Sequence, residues 1–240
     1  MKLQRFPLDR LLRLAYLAGI AAGCAPSYGP TLRTVVPAGL PPVERDSVLA
    51  WVGRTTPTSY RGHPFKWAFK SPDEGVGGKG NARIAPPDSL RLDMAGPLGS
   101  KRTAGMVLGD SAVWVTRQDV LDKIIPSYPL LWAMLGVARR PPPDALIRGG
   151  VAGDLTAWEY AVGADTIEYV HTAGKSPTLQ ALVRQEGRVV GRVETHFGLD
   201  GSLVSSRLYL PEGPSRLELT FTGDTTPASF KPEIWNQPER

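Results

Sequence analysis

Few side chains in this 240-residue chain are placed to do bond-making chemistry. The three histidines, His63, His171 and His196, lie far apart and follow no repeated metal-ligand spacing. His196 shares a strand face with Glu194, whereas Glu168 and His171 do not share one. No G-x-S-x-G occurs, and Asp88 and Asp93 read as turn and surface residues rather than an acid–base pair. Gly75 to Gly80 formally matches G-x-G-x-x-G. A dinucleotide site needs a helix after that run, and Arg83 to Pro87 carries two prolines and no apolar helical period. The nucleophile, base and orienting group of an enzyme are not visible together. The expectation is a protein that binds rather than catalyses, with no catalytic residue, metal or cofactor.

One thiol does carry chemistry. Residues 1–13 hold Lys2, Arg5, Arg10 and Arg13, and Leu14 to Gly23 is an apolar run. Ten residues cannot span a bilayer core of about 30 Å, which needs ~20 in a helix. A basic flank, a short apolar core and small residues before a break mark a secretory signal peptide. Ala21-Ala22-Gly23 leads into Cys24, the only cysteine. That string resembles a bacterial lipobox, with Ala21 where Leu is usual. The resemblance implies diacylglycerol transfer to the Cys24 thiol, cleavage before it, and acylation of the new amino group by a chain such as palmitate. A lone thiol in an exported chain cannot form an internal disulfide, which suits this role. An ordinary signal peptide with a chance cysteine is the alternative. Ala25 rather than Asp after the cysteine favours release to the outer membrane.

The elements that would carry a binding surface are mostly strands. With 26 glycines, 23 prolines and few helix-friendly runs, a β-rich fold is expected. The formal charge of +5 falls to +2 once residues 1–23 are removed, leaving 24 basic and 22 acidic residues. That gives no electrostatic case for nucleic acid. Residues 24–42 are Pro-rich and read as an extended, disordered tether after the lipidated cysteine. The domain is expected over residues 43–235, starting with a short helix over Val43 to Arg54. Phe65, Trp67 and Phe69 alternate with Lys66, Ala68 and Lys70, and Leu90, Leu92 and Met94 alternate with Ser89, Arg91 and Asp93, the period of half-buried strands. Thr103 to Leu108 and Ala112 to Val115 continue the pattern, and Arg117 to Ile125 reads as a short helix or turn. Pro126 to Val137 is apolar all round, so it is a helix buried on several sides or covering a cavity. Thr156 to Val162, Thr166 to His171, Thr178 to Arg184, Arg188 to Phe197, Leu203 to Leu210 and Arg216 to Thr222 form an antiparallel meander, with Phe230 and Trp235 as packing points in the tail. Leu98, set among Gly96, Pro97, Gly99 and Ser100, is an apolar residue at what should be an exposed hairpin tip.

Two strings extend this reading. Leu90 to Ser100 (LRLDMAGPLGS) resembles a strand and Pro-Leu-Gly loop of the LolA/LolB-like superfamily of outer-membrane lipoprotein-sorting proteins. Ile125-Pro126 followed by Leu130 to Gly136 resembles a helix of the same family. The resemblance covers Phe65 to Asp144. It implies a mainly β fold, an incomplete antiparallel β-barrel of about 11 strands whose opening is covered by a few short α-helices, with a cavity for acyl chains. Candidate cavity residues are Phe65, Trp67, Leu92, Met94, Trp114, Leu131, Trp132, Leu135, Trp158 and Phe221, residue types that also make up any sheet's core. Leu98 matches the family's protruding loop, whose apolar side chain faces the membrane or cargo. The implied partners are membrane lipid through Cys24, lipid or lipoprotein acyl chains and a periplasmic carrier protein, at an envelope location in the outer membrane facing the periplasm. A structural envelope lipoprotein with a filled interior and a protein partner is the alternative.

Overall fold

In the computed structural model, residues 32–211 and 215–237 are described. Cys24, the apolar run before it and the first part of the tether lie outside them. Period-two hydrophobicity produces twelve strands: β1 (Arg61–Lys70), β2 (Gly75–Ala85), β3 (Ser89–Ala95), β4 (Thr103–Leu108), β5 (Ser111–Thr116), β6 (Leu146–Ala152), β7 (Leu155–Val162), β8 (Asp165–Thr172), β9 (Thr178–Gln185), β10 (Arg188–Phe197), β11 (Leu203–Tyr209) and β12 (Arg216–Phe221). Three short helices accompany them, α1 (Arg45–Gly53), α2 (Gln118–Ile124) and α3 (Tyr128–Met134).

All twelve strands form one antiparallel sheet in the order β5-β4-β3-β2-β1-β12-β11-β10-β9-β8-β7-β6. Two meanders are therefore joined where β1 pairs with β12, Phe65 opposite Phe221 and Trp67 opposite Leu219. The sheet stays open, with β5 and β6 at its edges. The Gly75–Gly80 run, read as a Gly-rich turn and the start of a second strand, opens β2, and the strand that the sequence reading missed is β6. Its Gly149-Gly150 pair is poor strand material, but Trp51 of α1 rests on Gly149, where a Cβ would come 2.6 Å from the indole.

One face of the sheet lines the core. Phe65, Trp67, Leu92, Tyr169, Trp158, Val193, Leu208 and Leu219 belong to a single buried cluster. Helix α3 lies on this face against β9, β10 and β11. Its Leu130, Leu131, Trp132, Ala133 and Met134 are all buried, as an all-apolar helix requires. The Thr195 hydroxyl donates to the Ala133 carbonyl at 2.8 Å and meets the Ser206 hydroxyl at 2.8 Å, so these buried polar groups are satisfied. The Gly-rich start of β2 is a platform for rings. Phe65 lies over Gly80 so closely that a Cβ there would overlap the ring. Trp67 Nε1 reaches across β2 to donate to the Ala95 carbonyl at 3.2 Å.

The opposite face is clasped by both ends of the described chain. Val36 packs with Ala157 and Val170 in a second, smaller cluster. Glu168, only 2% exposed, pairs with Arg184 and accepts hydrogen bonds from Thr34 Oγ1 (2.5 Å) and the Val35 amide (2.8 Å). The Gly149 amide donates to the Pro41 carbonyl at 2.9 Å, and the Val43 amide to that of Ile147. Residues 34–42 are thus a docked strap, which corrects the expectation of a free tether for this part. The prolines do hold the segment extended, but Val36 and the buried carboxylate give it somewhere to bind. At the other end Arg91 donates to the carbonyls of Ile234 and Asn236, and Phe230 packs edge-on against Tyr60 and Trp235.

Replacing Gly80 with alanine should destabilise the fold by about 1–3 kcal/mol, because the new methyl must displace the Phe65 ring. Gly75→Ala, whose methyl meets nothing within 4 Å, should change stability by no more than ~0.5 kcal/mol. Urea unfolding of the two variants checks the difference.

Candidate functional site

The inner face is not covered evenly. Over β9 to β11 α3 fills it, whereas over β1 to β4 the cover is α2, equally short and less apolar. Between α2 and those strands lies a cleft of about 240 Å³. Trp67, Phe69, Val76, Met94, Leu121 and Ile124 make its apolar wall, and Glu74, Lys101 and Arg117 stand at its rim. Leu121 and Ile124, three residues apart, sit on one side of α2 and are both buried. At about 30 Å³ for a water-sized group, the space holds roughly eight methylenes. An apolar wall with a charged rim is suited to an alkyl chain that ends in a polar head.

Of the ten cavity candidates read from the sequence, Trp67 and Met94 line this cleft. Phe65, Leu92 and Phe221 are buried in the adjoining core. Leu131, Trp132, Leu135 and Trp158 belong to the tightly packed α3 side. There Trp132 Nε1 donates to the Gly109 carbonyl at 2.6 Å, with the Arg139 guanidinium 5.0 Å from its ring. Trp158 stacks on Tyr169 at 5.3 Å and donates to the Tyr160 hydroxyl at 2.9 Å, which itself donates to the Arg139 carbonyl. Burial pushes both phenols well above the ordinary tyrosine range, so they work as neutral hydrogen-bonding groups.

Trp114 requires a correction, because it is on the opposite face. A register shift between Met106 and Val107 in the β4–β5 pairing sets Trp114 across from Met106. It lies with its ring 5.2 Å from the Arg91 guanidinium, and Nε1 donates to the Trp235 carbonyl. A shift of one residue exchanges the two faces of a strand, and alternation alone cannot reveal it. Phe69, Val76, Leu121 and Ile124 were not among the sequence candidates. Phe69 carried a signal, since it continues the Phe65–Trp67 alternation.

Leu98 stands beside the cleft. The turn that carries it is tied by Gly96 and Ser100, whose backbone groups bond at 2.7 Å, and by the Ser100 hydroxyl donating to the Pro97 carbonyl at 2.7 Å. Leu98 itself is 107% exposed and has a left-handed backbone, φ 55° and ψ 25°. It does not fold back onto Pro97. A non-glycine residue in this conformation costs on the order of 1 kcal/mol, so the turn projects the side chain against local preference.

No protein-family model matches the chain, and no curated protein matches its sequence. Solved structures do match. A domain from Vibrio parahaemolyticus assigned to outer-membrane lipoprotein sorting aligns over 80% of this chain and 95% of its own length, with a TM-score of 0.56 at 7% identity. A LolA-superfamily protein from Nitrosomonas europaea aligns over 81% of this chain and 98% of its own, at a TM-score of 0.43 and 11% identity. The chain shares the fold of the Vibrio domain. The open antiparallel sheet with helices on its inner face is what the LolA/LolB resemblance implied, with twelve strands among the described residues in place of about eleven. No described helix is long and apolar enough to cross a membrane.

The histidines stay apart. His196 Nε2 sits 3.3 Å from Glu194, and His63 Nδ1 sits 3.4 Å from Asp224. Burial holds His63 below the usual imidazole value; Asp224 opposes that shift and Arg61 adds to it. A depressed folded-state pKa means that the unfolded chain binds the proton more readily. The His63 contribution is therefore fully present above about pH 6.5 and is lost as pH falls through the folded value. Thermal melting of His63→Gln should show a shallower stability loss than wild type below pH 6.5.

Proposed function

We propose that this chain is an envelope lipoprotein, anchored through acylated Cys24, that binds lipid or lipoprotein acyl chains in the cleft under α2. It acts in lipoprotein trafficking or envelope assembly, without catalysis. Leu98 is the tip that meets the membrane or the cargo, and a periplasmic carrier protein is the donor that suits an outer-membrane position. The observation that carries this reading is the adjacency of two features: an apolar cleft lined by Trp67, Met94, Leu121 and Ile124, and a fully exposed leucine on the loop at its rim. Eight methylenes buried in the cleft correspond to about 6 kcal/mol before the cost of immobilising the chain. Few polar contacts are then needed to hold a lipid.

A second reading has support of its own. The α3 side of the inner face is packed, with Leu130, Trp132 and Trp158 each no more than 1% exposed. A domain filled in this way also suits a structural envelope lipoprotein that recruits a protein.

Native mass spectrometry and uptake of a fluorescent fatty acid separate the two. Co-purifying lipid, and uptake reduced at least tenfold by Leu121→Trp, which fills the cleft, support the lipid-binding reading. No bound lipid and no uptake by the wild-type chain would favour the structural one. Leu98→Glu should leave the melting temperature unchanged while slowing transfer of lipid or cargo to vesicles at least fivefold, in line with loss of one buried leucine contact.

A further inference from the structure

The surface around Leu98 is unusual in charge as well as in exposure. On the outer face of β2 to β5 a groove of about 660 Å³ runs up to the turn, lined by Lys79, Asn81, Arg91, Asp93, Arg102 and Thr116. Its one carboxylate is already engaged. Asp93 takes Arg83 at 2.6 Å and Arg91 at 2.8 Å. Lys79, Lys101 and Arg102 are exposed, and among the described residues none of them has an ion-pair partner. All three flank the tip. Lys79 is opposite Ala95, the last residue before the turn, and Lys101 and Arg102 follow Ser100 directly. The Arg102 guanidinium comes within 3.9 Å of where a side chain on Gly99 would begin. Glu74 on the cleft rim and the doubly paired Asp93 are the acids facing this region. Against them stand six cations, Lys79, Arg83, Arg91, Lys101, Arg102 and Arg117. A chain nearly neutral after residue 23 thus concentrates unpaired positive charge around its most exposed leucine.

We propose that the Pro97–Ser100 turn with Lys79, Lys101 and Arg102 is a docking patch for an anionic lipid surface. Leu98 enters the acyl layer, and the three cations take headgroup phosphates. This rests on the reading of Leu98 as a membrane-facing tip and adds to it the headgroup chemistry that the tip selects. An apolar point ringed by basic groups matches the layering of a bilayer surface, with phosphates above acyl chains. An uncharged membrane offers nothing to the cations.

Because Cys24 is the only cysteine, a full-length Cys24→Ser/Ser100→Cys chain can carry one polarity-sensitive dye on the new thiol, with Leu98 intact. It is titrated with vesicles of phosphatidylcholine and with equimolar phosphatidylcholine and phosphatidylglycerol. The dye should shift to the blue on the anionic vesicles, and added salt should weaken the response. At about fivefold per cation, Lys79→Gln/Lys101→Gln/Arg102→Gln should lower affinity on the order of a hundredfold. Its melting temperature should match the parent's, since all three side chains are exposed. Equal shifts on both vesicle types, or full affinity in the triple variant, would overturn the proposal. So would capture of an acidic peptide with no response to vesicles. Fatty-acid uptake measured on the same protein keeps the two readings apart. Uptake without a preference for anionic vesicles removes the patch and leaves the cleft; a preference without uptake removes the cleft and leaves the patch.

Discussion

An open sheet of twelve strands must bury one entire face, and among the described residues there are three short α-helices with which to do it. Helix α3 has only seven residues, but it is apolar on all sides and packs against β9, β10 and β11. The hydroxyl pair Thr195–Ser206 fixes its carbonyl end, and the Trp132 indole ties its far side to the β4–β5 turn. Everything else on the inner face follows from how far this plug reaches. Where α3 stops, cover passes to α2, which has Leu121 and Ile124 to offer, and the mismatch between wall and cover is the cleft.

The alternation of Phe65, Trp67 and Phe69, of Leu90, Leu92 and Met94, and of Leu217, Leu219 and Phe221 made the inner wall legible from sequence, because a half-buried strand writes its burial into every second residue. The plug helix was legible as an apolar run too short to span a membrane. Two kinds of information were not local. Gly149 is a poor strand residue that becomes a good one only when Trp51 arrives from α1. Trp114 is turned outward by a pairing irregularity that depends on both β4 and β5. The cleft was misread for a related reason. The most hydrophobic residues, Leu131, Trp132 and Trp158, marked the place where packing is tightest, while the open space formed where the covering helix is weakest.

The outer face shows the complementary economy. Rather than a second layer of helices, the two ends of the described chain cross it, with Glu168 the buried side-chain anchor of the N-terminal strap and Arg91, beside Trp114, that of the C-terminal tail. Buried charge is tolerated at Glu168 because Arg184 and backbone amides meet it there. Arg91 serves three partners at once, as it also pairs with Asp93 and covers the Trp114 ring.

The strap has an effect beyond adhesion. Along the β6 edge the Gly149 amide and the Ile147 carbonyl are both taken by residues 41 and 43. The residues that then face outward include Pro41 and Pro42, which have no amide hydrogen to offer a further strand. In the middle of β6 the edge is thus met by a segment that takes two of its hydrogen bonds without presenting a new template. A further strand approaching this margin meets two adjacent prolines with no amide hydrogen to give, which disfavours edge-to-edge growth there.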